Sequence, residues 1–281
     1  MNSLSIITIN RNNSIGLRKT IESVVSQIFC KYEYIIIDGA STDSSVDVIK
    51  EFSNKLEYWI SEPDKGIYNA MNKGILKATS DYCLFLNSGD WFVDKNVIRD
   101  FCNSKFDEDI ISGNIYLFDE CGSVLRESVK KENFSYETLF YGTLPHQATF
   151  IKRELFLNFG LYNEGLKIVS DWEFFIKALI VNNSSYNHID RVISFYDLNG
   201  ISANIKWNFL HENEREFILC TTLPFVYKSF KKITDENKKL RDLKEEYLSL
   251  KNGKFSYFIF IFLWLKKIKK VNKNKIKKYA Y

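Results

Sequence analysis

Four polar clusters interrupt the first ninety residues, and each carries a carboxylate or carboxamide able to accept an N–H or ligate a cation. They read Asn10-Arg11-Asn12, Asp38-Gly39-Ala40-Ser41-Thr42-Asp43, Ser61-Glu62-Pro63-Asp64-Lys65-Gly66 and Asn87-Ser88-Gly89-Asp90. Asp38 and Asp90 follow apolar runs. A carboxylate so placed can receive a ring N–H, or hold a hard divalent cation that in turn neutralises phosphate. The glycine-rich routes to phosphate are missing. A dinucleotide loop needs GxGxxG after the first strand, where this chain has Asn10-Arg11-Asn12-Asn13-Ser14-Ile15-Gly16, and no GxxxxGK[ST] segment occurs. Phosphate chemistry here therefore calls for a carboxylate-held metal.

The elements that must position these clusters follow from apolar spacing. Leu4–Ile9, Tyr34–Ile37, Leu56–Ile60 and Tyr82–Leu86 are short runs rich in β-branched and aromatic residues, hence buried strands. Between them lie helical patterns: 14–28 with Ile15, Ile21, Val24, Val25 and Ile28; a helix capped by Ser41 or Thr42 and carrying Val46, Ile49 and Phe52; and 66–76 with Ile67, Ala70, Met71 and Ile75. Such alternation predicts βαβ units and a mostly parallel sheet with helices on both faces. Ligands of such sheets bind beyond the carboxyl ends of the strands, where all four clusters fall. Further on, the spacing predicts a helix over 96–103 and strands within 109–127 around Glu120-Cys121-Gly122. It also predicts a strand at Thr149–Ile151, a helix from Asp171 to about Asn182, a strand at Val192–Tyr196 and helices over 204–250. Ile233, Leu240, Leu243, Tyr247 and Leu250 sit near heptad spacing, too briefly for a coiled coil, so packing onto the body is expected.

With 45% hydrophobic and 26% charged residues, the 281-residue chain can bury a sizeable core. Its net charge of +4 is uneven: nine Lys and no acid in 254–281 leave 4 − 9 = −5 on residues 1–253. An acidic body argues against nucleic acid as a partner. The five cysteines (Cys30, Cys83, Cys102, Cys121, Cys220) show no CxxC spacing, which fits a reducing cytosol and neither a disulfide framework nor a zinc site. Leu4–Ile9 is too short for a secretory signal.

Those clusters, with the whole segment Glu62–Gly74, Pro145-His146-Gln147-Ala148 and Ser170-Asp171-Trp172-Glu173, resemble the family 2 glycosyltransferases with a GT-A fold, over roughly Leu4 to Ser202. The nearest likeness is to enzymes of bacterial surface-polysaccharide assembly of the colanic-acid type. The resemblance implies an α/β fold with a GT-A domain over 1–205, split into a nucleotide-binding half (1–90) and an acceptor half (91–205). A helical extension over 206–253 and an aromatic, basic tail over 254–281 follow. It implies inverting transfer of a sugar from a nucleotide-sugar, foremost a UDP-sugar, to a hydroxyl of a glycan or lipid-linked acceptor.

The resemblance also implies roles. Asp38 accepts from the nucleotide base, uracil or guanine; the cap supplied by Ser41 and Thr42 leaves it free of that duty. Asp90 ligates a divalent cation, Mn²⁺ or Mg²⁺, though the motif keeps one carboxylate where the family often has more. Asp171 is the general base, with Glu173 as second choice. Asn10, Arg11, Asp64, Lys65, Asn69, Ser88 and Gly89 line the nucleotide or donor, and His146, Gln147, Trp172 and Glu173 meet the diphosphate or acceptor. A metal-ligand histidine found in relatives near 192–196 is replaced by Asp197-Leu198-Asn199, so none is assigned.

A sugar-phosphate nucleotidyltransferase would share such a sheet but needs a Gly-rich loop with Arg and Lys after strand one. A non-catalytic protein that kept a nucleotide pocket is the other alternative. Phe255–Leu265 is too short to span a bilayer, yet with the lysines that follow it suits in-plane anchoring on an anionic leaflet. The expected location is cytoplasmic, with a peripheral place on the inner membrane face. An oligomer is left open.

Overall fold

The first apolar run becomes β1 (Leu4–Asn10), buried at all seven positions, as a strand covered on both faces requires. The computed structural model describes residues 2–28, 31–198 and 207–252. β2 (Glu33–Asp38), β3 (Tyr58–Ser61) and β4 (Tyr82–Phe85) join β1 in parallel, in the order β3-β2-β1-β4. The register sets Asn10 opposite Asp38 and Asp38 opposite Ser61, so three polar strand ends finish level.

Helices α1 (Ser14–Val25), α2 (Ser45–Glu51) and α3 (Ile67–Lys77) connect these strands. In α1 the Asn13 side chain caps the first turn by accepting from Gly16 N–H at 3.1 Å. Its buried stripe is Leu17, Thr20, Ile21 and Val24. Ile15 and Ile28, expected within the apolar set, are 87% and 59% exposed, because they fall off that stripe. α2 starts later than expected: Ser41 and Thr42 lie before it, and Ser41 is engaged with Asp38 instead.

Beyond the parallel half, β5 (Trp91–Phe92) and α4 (Val97–Asn103) precede a hairpin of β6 (Ile110–Asp119) and β7 (Gly122–Arg126) that turns at Glu120-Cys121. Then come α5 (Tyr136–Tyr141), β8 (Thr149–Lys152), α6 (Arg153–Phe159), α7 (Ser170–Phe175), a π-helical turn over Ile176–Val181 and β9 (Tyr186–Asp197). The sheet runs β3-β2-β1-β4-β8-β6-β9-β5, with β7 on β6. β8 enters antiparallel to β4 and β6, while β9 lies parallel to β6 and antiparallel to β5. β5, α5 and α6 are too short to have been recognised by period, and the helix expected from Asp171 onward changes pitch at Ile176.

The chain divides into two compact units between Glu216 and Phe217. α8 (Asn208–Thr222) begins in the first; α9 (Pro224–Asn252) lies in the second. On α9 the heptad-spaced Ile233, Leu240, Leu243 and Tyr247 are each more than half exposed rather than buried. Among the described residues no helix is long and apolar enough to cross a membrane.

At Gly74 helix α3 lies close on β1: a Cβ there would lie 2.4 Å from Ile7 Cγ2. Gly74→Ala gains about 1 kcal/mol of helix propensity, but overpacking a core typically costs about 1–3 kcal/mol. The clash should win, and thermal melting should show a lower midpoint. A midpoint at or above wild type would mean that α3 moves off β1 without penalty.

Candidate active site

The level strand ends make a hydrogen-bonded cluster. Asp38 is fully buried and accepts from Asn10 Nδ2 (2.7 Å), Ser41 N (2.9 Å), Ser41 Oγ (2.6 Å) and Ser61 Oγ (2.6 Å). It is thus the turn residue that Ser41 and Thr42 were expected to spare it from being. Ala40, inside this turn, sits at φ +54°, a region non-glycine residues seldom occupy, so the surrounding bonds hold a strained backbone. Asn10 Oδ1 is buried without a donor in the protein. Arg11 lies beside this turn, exposed. Asp64 also faces Gly39, but its carboxylate pairs with Lys73 at 2.6 Å. Lys65 is exposed, and its N–H meets Asn69 Oδ1 at 3.3 Å. The Asn69 amide reaches Glu164 at 2.9 Å, so Asn69 ties α3 to the loop before α7 rather than presenting to a donor.

The Asn87–Asp90 turn is built from below by Thr20, which sequence reasoning passed over. Its hydroxyl donates to the Asp90 carbonyl at 2.7 Å and accepts from Gly89 N–H at 3.0 Å. Gly89 takes φ +107°, which suits glycine, and the Ser88 carbonyl accepts from Asn13 Nδ2 at 3.1 Å. Asp90 is 5% exposed. Burial pushes its carboxyl up to about 7, against the influence of His146, Asp197 N–H and Gln147, while the Asp197 carboxylate adds to the rise. Asp197 N–H donates to Asp90 Oδ1 at 3.1 Å, and a Cβ on Gly89 would stand 3.7 Å from Asp197 Oδ2. The pairing of β5 with β9 thus sets a second carboxylate beside the thinned motif.

His146 lies between this turn and Asp171. Its Nε2 is 3.2 Å from Asn87 Nδ2, and its Nδ1 is 3.5 Å from Asp171 Oδ2. An amide nitrogen only donates, so Nε2 accepts and Nδ1 carries the proton toward Asp171. Tyr68 Oη donates to Asp171 Oδ1 at 3.1 Å. Burial raises the Asp171 carboxyl, but His146, Trp172 N–H and Tyr68 outweigh it, leaving Asp171 below the ordinary carboxylate value. The structure therefore draws together Asn10 and Asp38 at one end, Ser88, Gly89, Asp90 and Gln147 in the middle, and His146 with Asp171 beyond.

Two positions expected to face the acceptor do not. Trp172 is 2% exposed, with its indole N–H on the Leu139 carbonyl at 2.7 Å, because it lies on the buried side of α7. Glu173 is 5% exposed and pairs with Lys177 at 3.1 Å. Ser61 was within reach of sequence reasoning through strand register. Tyr68 and Asp197 were not, since each meets its partner across about a hundred residues.

A divalent cation fits here in a limited way. Asn87 Oδ1 is a buried oxygen with no donor in the protein, next to a buried acid whose ionisation is suppressed by its burial. Among the described residues no three His, Cys, Asp or Glu side chains gather into a cage. Mg²⁺ commonly binds through one or two carboxylates plus substrate phosphates, which this arrangement permits.

The family model for Glycosyl transferase family 2 matches residues 5–157. An uncharacterized glycosyltransferase of Mycobacterium tuberculosis is 33% identical over 183 residues, covering 64% of this chain and 70% of the relative. A PGL/p-HBAD biosynthesis glycosyltransferase of Mycobacterium bovis is 27% identical over 215 residues, covering 72% and 79%. In fold, the chain is similar to S. aureus TarS solved with UDP-GlcNAc, with a TM-score of 0.58 at 18% identity over 69% of this chain and 58% of that one. It is also similar to the mannosyltransferase PcManGT of Pyrobaculum calidifontis, solved with GDP-Man and Mn²⁺, with a TM-score of 0.52 at 14% identity over 69% and 56%. This chain thus spans less than two thirds of either solved structure. A GT-A sheet with its acids at the carboxyl strand ends, joined to a family match over more than half its length, makes this chain a glycosyltransferase belonging to glycosyl transferase family 2.

Proposed function

We propose that the chain carries out inverting transfer of a sugar from a UDP-sugar to a hydroxyl of a cell-surface glycan or lipid-linked acceptor. The observation that carries this reading is the place of His146, one imidazole ring spanning the Asn87–Asp90 turn and Asp171. Donor diphosphate and acceptor hydroxyl would meet there. TarS solved with UDP-GlcNAc supports a uracil nucleotide, and the relative named for PGL/p-HBAD biosynthesis supports a glycolipid-type acceptor.

At the base-binding end, Asn10 Oδ1 offers the unpartnered acceptor for a ring N–H. The hydroxyls of Ser41 and Ser61 on Asp38 are the donors that a base imide would displace. Asp90, with Asn87 Oδ1 and Asp197 beside it, would hold Mn²⁺ or Mg²⁺, which supplies charge compensation for a leaving diphosphate. Asp171, kept ionised by its donors, takes the acceptor proton as that oxygen attacks the anomeric carbon from the face opposite the diphosphate. The hydroxyl becomes acidic only as the new bond develops, so a weakly basic carboxylate suffices. His146 orients that carboxylate.

The donor test is thermal shift and nucleotide release across UDP-glucose, UDP-galactose, UDP-GlcNAc and GDP-mannose, with a membrane lipid extract as acceptor. A preference for GDP-mannose would overturn the uracil assignment. Asp171→Asn should lower transfer about 10²–10⁴-fold while leaving UDP affinity unchanged; transfer at the wild-type rate would remove Asp171 as base.

Asp90 makes a pH-dependent prediction. Its folded value lies above the ordinary one, so its contribution to stability is full below about pH 4 and is lost as pH rises towards about 7 in chelator. Cation binding needs the ionised form, so Mn²⁺ with UDP should raise the melting midpoint more at pH 8 than at pH 6. Asp90→Asn should abolish both the pH trend and the Mn²⁺ increment. An increment that survives this substitution would place the cation elsewhere.

Residues 254–281 lie outside the described residues. Their apolar aromatic run and nine lysines support a place on an anionic membrane surface. Flotation with anionic liposomes should be lost on truncation to 1–253; equal flotation of both would sink the anchoring idea.

A further inference from the structure

Asp171 lies in a helix of six residues that gives way at once to a π-helical turn. So short a helix is marginal on its own and cannot fix the acid's position. The chain on either side of it is held from outside, by two consecutive residues of α8. Upstream, Glu214 Oε1 and Oε2 accept the backbone N–H groups of Lys167 (2.8 Å) and Ile168 (3.1 Å). The single Tyr68 O–H proton is shared between the Ile168 carbonyl at 2.5 Å and Asp171 Oδ1 at 3.1 Å. Downstream, the Arg215 guanidinium lies over the Trp172 ring, Cζ 4.4 Å from the centroid. Its Nη2 donates to the carbonyls of Leu139 and Gly142, both at 2.7 Å. The Leu139 carbonyl receives the Trp172 indole N–H as well, so ring, guanidinium and the end of α5 form one knot.

Both α8 residues belong to the same compact unit as Asp171 and lie beyond the family match, which ends at 157. Burial lowers the Arg215 guanidinium to about 10 while Asp171 opposes the fall, so the two groups share a field. The guanidinium donates to carbonyls and stacks on an indole, making no ion pair with a carboxylate in these contacts.

We propose that Glu214 and Arg215 are positioning residues for sugar transfer, a two-sided clamp that sets the place of Asp171 by fixing the backbone before it and the ring after it. The clamp rests on the reading of Asp171 as the general base. A carboxylate displaced by about 1 Å loses on the order of 10²-fold in rate without losing substrate. A Lys at 215 cannot span two carbonyls while lying flat on an indole, and a Gln at 214 turns an N–H₂ toward a backbone N–H.

The test uses the full chain with the preferred donor of the panel above, and UDP as the binding probe. Glu214→Gln and Arg215→Met should each lower kcat about 10–100-fold, with UDP affinity and donor KM near wild type at a temperature well below melting. Arg215→Lys should recover little. In an Asp171→Asn background, Arg215→Met should cause no further loss, since both act through one group. Additive losses in the double variant, or wild-type kcat in Glu214→Gln and Arg215→Lys, would overturn the clamp. Wild-type turnover in Asp171→Asn alone overturns the base, and the clamp falls with it; the single Asp171 variant tells the two failures apart.

Discussion

Asn10, Asp38 and Ser61 finish level because β1, β2 and β3 pair in parallel without a slip. Side chains alternate faces along a strand, so a shift of one residue would turn Asp38 away from Asn10 and send Ile37 to the strand end. The buried rows Ile35-Ile36-Ile37 and Ile6-Ile7 pack in that register, which a shift would disturb. The level row of Asn10, Asp38 and Ser61 is therefore a by-product of core packing. The strained Ala40 turn persists because Asp38 takes four hydrogen bonds there.

The two acids assigned to chemistry live in opposite surroundings. Asp90 is buried with few donors and a neighbouring carboxylate, and its ionisation is held back. Asp171 is only partly buried, and His146, Tyr68 and its own helix start supply enough donors to hold it ionised. Environments that drive two carboxyls apart are how one fold assigns them different tasks. Here the poorly ionised acid suits a cation and the well-ionised one suits a proton acceptor. His146 bridges the two centres, with Nε2 on Asn87 and Nδ1 facing Asp171.

The parts that complete the site come from far along the chain. β9 delivers Asp197 to Asp90, and α8 braces α7 from both sides of Asp171. The family match stops before any of these elements. The elements that complete the cluster around Asp90 and Asp171 therefore lie outside the segment that the family model matches.

From sequence alone, the alternation of apolar runs determined the βαβ order of the first ninety residues, and polar clusters after each run located the site at one sheet edge. Those features are local: a run of β-branched residues has one good use, and the residues after it leave the core together. Asp38 and Asp90 stood out for that reason, whereas Asp171 was singled out only by the resemblance. Only the tertiary structure decided that Asp38 is saturated by its neighbours, that Trp172 and Glu173 point inward, and that Thr20, Tyr68, Asp197, Glu214 and Arg215 serve the site. Each of these depends on which elements lie side by side across the sheet and around α7. That is settled by packing and pairing energies summed over the whole core, not by spacing along the chain.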